Sequence, residues 1–180
     1  MASKDDKNLQ EYSALLVWEG NLGAGTSNYM DYGRSYSVRI EGKPNLVGSS
    51  DPLFLGDASL HSPEDLFLAA LSSSHMLSYL MLCSRNKINV LKYQDRVRGT
   101  MKRKPGGGGK FDSVTLEPLI VIAPGDEKLA MKLHDKAHAE CVVAQSVKVS
   151  VKHKATIRVD FAANSRENQI RESAPLTRRP

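Results

Sequence analysis

Two short stretches of this chain hold the residues best able to do chemistry. Ser72, Ser73, Ser74 and His75 stand in a row inside a long apolar run. Buried hydroxyls there need partners or a task. The ordinary task is back-bonding to the preceding turn or contact with a second helix; the other is a reactive site. A Ser74–His75 hydrolase pair is disfavoured, because consecutive helical residues do not face each other. The second stretch places His134, His138 and Cys141 at i, i+4 and i+7, on one helical face. That spacing could hold a zinc ion. The glutamate of an HExxH motif is absent and no fourth ligand lies close in sequence, so surface or internally satisfied histidines are the commoner reading. Cys141 beside Val142 and Val143, and Cys83 after Leu80, Met81 and Leu82, also read as small hydrophobes.

The elements that must position these residues are legible. From Ser62 to Ile88, Ser62 can cap a helix and Pro63 suits its first turn. Glu64 and Asp65 place negative charge where the helix dipole favours it. The run that follows is apolar almost all round, as in a core helix. Asp126 to Cys141 predicts a second helix, capped by Asp126, with Leu129, Leu133, Ala137 and Cys141 on one face. Strands are expected at 12–19, 34–41, 45–49, 90–101, 114–122 and 146–161. In the last of these Val147, Val149, Val151, Ile157, Val159 and Phe161 share odd positions, and lysines occupy the even ones. Pro118 implies an edge or bulge. The four glycines from Gly106 make a hairpin tip, and no phosphate cradle, because Lys110 precedes Phe111. The order implies an α+β fold with antiparallel pairing. It would form one domain at 12–161, with a loose N-terminus at 1–11 and a disordered tail at 162–180.

Composition narrows the classes. The chain has 180 residues, 41% hydrophobic and 25% charged, as in a soluble globular protein. Its +5 charge is spread without aromatic interleaving, which argues against nucleic acid. The long apolar helix is broken by Ser72–His75 and flanked by Arg85 and Lys87, which argues against a membrane span. No signal core opens the chain, so the cytoplasm is expected. Two cysteines make no disulfide framework.

The run S-P-E-D-L-F-L-A-A-L-S-S-S-H-M-L-S-Y-L, followed by A-H-A-E-C-V-V-A-Q-S-V, resembles the OsmC/Ohr family of osmotically inducible and organic-hydroperoxide-resistance proteins. The resemblance extends from about Trp18 to Ile157. It implies antiparallel sheets packed around two central helices, an intertwined homodimer, and thiol-dependent peroxidase chemistry. In that family a Pro-Glu pair opens the first core helix, and a reactive cysteine follows ten residues after the glutamate. A second cysteine follows an Ala-His pattern on the other helix. Here the pair is Pro63-Glu64 and the second, resolving cysteine is Cys141; Ser74 stands where the nucleophile is expected.

The family chemistry explains the residue types. A thiolate attacks the peroxide, and the sulfenic acid that forms condenses with a second thiol. A dithiol, either a small molecule or a lipoyl-type protein, reopens the disulfide. By the resemblance, an arginine from the N-terminal strands lowers the thiol pKa and Glu64 holds it. Arg34 is the candidate, ahead of Arg39. A straight helix puts Glu64 and Ser74 roughly 15 Å apart, too far for one arginine to serve both within a chain. With the intertwined dimers that the resemblance implies, a two-fold dimer whose pockets draw on both chains is expected. No cofactor or metal is required. With Ser74 in place the chain should be inactive as a peroxidase, and Ser74 is either an engineered replacement or natural. The alternatives are a non-catalytic binder of a small hydrophobic ligand in the interface pocket, and a zinc protein using His134, His138 and Cys141.

Overall fold

In the computed structural model, residues 9–105 and 108–162 are described. They fall into two compact units divided between Phe67 and Leu68. The first eight residues, the glycine tip at Gly106 and Gly107, and the tail from residue 163 lie outside the described residues.

The first unit is built on an antiparallel sheet of β1 (Leu15–Trp18), β2 (Tyr36–Arg39) and β3 (Leu46–Gly48), in that order. Each strand is shorter than its sequence pattern. The glycine-rich loop between β1 and β2 closes where Gly33 N–H donates to Gly20 O at 2.8 Å. A Cβ on Gly20 would meet Gly33 O at 1.8 Å, so that position needs glycine. The first turn of α1 (Pro63–Arg85) is fixed by a reciprocal cap. Ser62 Oγ accepts from Asp65 N–H at 3.2 Å, and Asp65 Oδ2 accepts from Ser62 N–H at 2.9 Å.

The second unit begins inside α1. It contains β4 (Val90–Asp95), β5 (Arg98–Arg103), β6 (Gly109–Leu116), β7 (Pro118–Ile122), α2 (Glu127–Glu140), α3 (Val142–Gln145), β8 (Ser150–His153) and β9 (Thr156–Val159). The strands form two sheets, ordered β4-β7-β9 and β5-β6-β8. Three long strands expected from sequence are therefore six. The break has a local cause: Pro118 offers no N–H opposite Asp95, and Asp95 Oδ1 takes the Glu117 N–H at 2.7 Å. The antiparallel expectation holds for β4–β7 and β5–β6, whereas β6–β8 and β7–β9 are parallel. The chain crosses over through α2 before β8, and such a return runs in the same direction. The last strand starts at Ser150 rather than Ser146, which instead ends α3. Its burial alternation nevertheless persists from Val147 to Val159 and fails at Phe161, which is exposed.

The core of this unit joins Tyr79, Leu82 and Cys83 of α1 to Ile120 and Ile122 of β7 and to Ala130, Leu133 and Ala137 of α2. Asp126 caps α2 by accepting from Leu129 N–H. The all-round burial expected of α1 is not seen. Leu71, His75, Tyr79, Leu82 and Cys83 form one buried line, while Leu77 is 62% exposed. By length and composition alone α1 could cross a membrane, a test that core helices of soluble proteins also pass.

Candidate functional site

Each of the four polar side chains in the middle of α1 has its own partner. Ser72 Oγ donates to Asp95 Oδ2 at 2.6 Å. Ser73 back-bonds to Ala70 O at 3.3 Å. Cys141 Sγ lies 3.2 Å from Ser74 Oγ, the thiol donating. His75 Nε2 lies 3.1 Å from His134 Nδ1. Cys141 reaches Ser74 because it closes α2 and opens α3, a corner that leaves the helical path at φ −71°, ψ 106°. The thiol is fully buried and the Ser74 hydroxyl half-buried.

Beside this pair lies a cluster of four histidines from three elements. His75 comes from α1, His134 and His138 from α2, and His153 from β8. The His75 and His134 rings stack at 5.4 Å, His153 is 5.6 Å from His75 and from His138, and Tyr79 stacks on His134 at 3.8 Å. Burial lowers the His75 pKa to about 4, with His153 and His138 adding to the effect. Burial lowers His134 to about 3, followed by the influence of His75 and His153. His153 is also pushed down by burial, against the opposing pull of Asp135, whose Oδ1 is 3.4 Å from Nε2. The buried pair is therefore neutral at neutral pH.

The zinc trio is not gathered. His134 Nδ1 is engaged by His75 and the Cys141 thiol by Ser74. Among the described residues no group of three or more His, Cys, Asp or Glu could hold a metal ion.

Arg34 and Glu64 belong to the first unit. The Arg34 guanidinium donates to Tyr32 O and to Tyr29 O, and sits 4.0 Å from the Tyr32 ring centroid and 4.6 Å from that of Tyr29. Arg39 pairs instead with Glu19 at 3.3 Å across β1 and β2. Glu64 is half-buried in the first turn of α1 and, after burial itself, helps raise the Tyr36 pKa.

The family model described as OsmC-like protein matches residues 56–156, more than half of the chain and both stretches that build the Ser74–Cys141 contact. The chain belongs to the OsmC-like family. An OsmC-like protein of unknown function from Vibrio cholerae has the same fold, with a TM-score of 0.73 and 26% identity over 82% of this chain and 100% of its own. An organic hydroperoxide resistance protein OsmC from Legionella pneumophila is similar in fold at TM-score 0.60 and 20% identity, covering 84% of this chain and 100% of its own. So is an organic hydroperoxide resistance protein from Elizabethkingia anophelis, at TM-score 0.58 and 18% identity, over 84% and 99%. No curated protein matches.

Within this OsmC-like fold the histidine cluster is what sequence reasoning missed. His75 drew notice only as the last of the polar row and as a neighbour of Ser74, and His153 drew none. A signal for His153 existed: it occupies an odd position in the strand whose odd positions face inward. No sequence signal paired His75 with His134, 59 residues apart.

Proposed function

We propose that this chain carries the scaffold of a thiol-dependent reductase of organic hydroperoxides, serving oxidative-stress defence, with serine in the nucleophile's place. The observation that carries this reading is the 3.2 Å approach of Cys141 Sγ to Ser74 Oγ. Family membership supports it, as do fold neighbours named for organic hydroperoxide resistance. With cysteine at position 74, the thiolate would attack the distal peroxide oxygen and the O–O bond would break. The alkoxide would leave as an alcohol after taking a proton, and the thiol would become a sulfenic acid. Attack by the Cys141 thiol would release water and form a disulfide, which a dithiol would reduce in two exchange steps. Serine cannot enter this cycle, because its hydroxyl is hardly ionised at neutral pH. The chain as written is then inactive, and Cys141 is a resolving thiol without its partner.

In this reading Arg34 is the candidate arginine and Glu64 the residue that holds it; the Arg34 guanidinium also donates to two carbonyls. The working unit is a cytoplasmic two-fold dimer whose pockets draw on both chains. The exposed apolar side chains Leu77 and Met81 of α1 favour such a partner. The test is Ser74→Cys, assayed with cumene hydroperoxide and dihydrolipoamide. Turnover should rise by at least roughly 10³-fold over the parent chain, the scale on which loss of a nucleophile acts. A folded variant that shows no turnover, and forms no disulfide between the new thiol and Cys141, sinks the proposal.

A further inference from the structure

Neither the proposed peroxide chemistry nor the fold accounts for four histidines gathered beside Cys141. His75 and His134 are fully buried, and their contact joins the middle of α1 to α2. One extra proton can be accommodated on an outer nitrogen of that pair, leaving the contact as one donor facing one acceptor. A second proton must enter the contact itself, where two N–H groups would face each other 3.1 Å apart and the hydrogen bond is lost. His153 adds a third imidazole 5.6 Å from His75, and His138 a fourth. His75 Nδ1, His134 Nε2 and His138 Nδ1 have no partner among the described residues, so little surrounds them to stabilise charge.

Groups from α1, β4 and α2 neighbour the cluster. Tyr79 of α1 stacks on His134, and Tyr93 of β4 lies behind Tyr79. Both phenols are held neutral by burial. A carboxylate at the edge of the cluster is that of Asp135 of α2, which is exposed, with Oδ1 3.4 Å from His153 Nε2. Ser74, the chain neighbour of His75, and Cys141, which closes the helix that carries His138, hydrogen-bond to each other.

We propose that the four-histidine cluster is an acid-operated latch: charging it parts α2 from the middle of α1 and exposes the Cys141 thiol, while the distal end of α1 stays packed. The depressed pKa values of His75 and His134 set the range in which the latch works. Cys83 supplies an internal reference. It is 1% exposed near the end of the same helix, within the cluster of Ile88, Ile120 and Ile122.

The test is labelling of the unmodified chain with 4,4′-dithiodipyridine from pH 7 down to about pH 3, through the values of about 4 for His75 and about 3 for His134. Peptide mass spectrometry reads each cysteine, with rates normalised to glutathione at the same pH. The normalised rate at Cys141 should rise by roughly tenfold or more while that at Cys83 stays low. His153→Gln, checked for folding at pH 7 by circular dichroism, should move the rise to lower pH. A flat Cys141 profile overturns the latch. So does a joint rise of both cysteines with loss of the far-ultraviolet signal, which is global unfolding. An unchanged profile in His153→Gln overturns the assignment to the cluster.

Discussion

Asp95 supports two features at once: one carboxylate oxygen holds Ser72 on α1 and the other takes the Glu117 N–H where the sheet breaks. Removing it leaves a half-buried hydroxyl and a backbone donor short of partners. Asp95→Ala should therefore cost about 2–3 kcal/mol, against about 1 kcal/mol for Ser72→Ala, by urea denaturation. Equal costs would show that the Glu117 bond contributes nothing. The row of serines announced itself in the sequence because polar groups in an apolar helix demand explanation. Which partner each would find was not legible, since Asp95, Cys141 and His134 reach α1 only through the fold.

The packing of α1 on α2 makes the stability of the second unit depend on pH. His75 and His134 bind protons less readily folded, with pKa values of about 4 and about 3, than unfolded, at about 6.5. Between those values the unfolded chain carries more protons, so stability is full above about pH 6.5 and falls as pH drops toward 3. It should level off once the folded histidines also charge. Urea midpoints across this range check the slope, and a flat profile would contradict neutral burial of the pair. The helices themselves were read correctly to within a few residues, because caps and apolar spacing are local. Asp126→Ala should lower stability by about 1 kcal/mol through loss of the Leu129 contact, seen as a shift in urea midpoint. The strands were located but not their breaks, since the Asp95–Glu117 bond and the parallel return are pairings between distant segments.

At the scale of the whole molecule, the surface of α1 bears on the proposed dimer. Leu77 is 62% exposed and Met81 37% exposed on a helix whose sequence reads as core. Burying such side chains is worth roughly 1.5–3 kcal/mol each when complete. Leu77→Glu would place a charge in that interface. Sedimentation should then show a dimer for the parent chain and a shift toward monomer for the variant. A parent chain that sediments as a monomer would remove the partner from the functional reading.

The order of residues by itself determined the two helices, the alternation of the last strand, and the family to which the chain belongs. Each is carried by short-range periodicity, capping residues or a contiguous motif. Only the tertiary structure decided that Ser74 meets Cys141, that His75 meets His134 and His153, and that Leu77 of α1 is exposed among the described residues. Those outcomes depend on which faces of distant elements pack together, and the pattern within any one element does not contain that information.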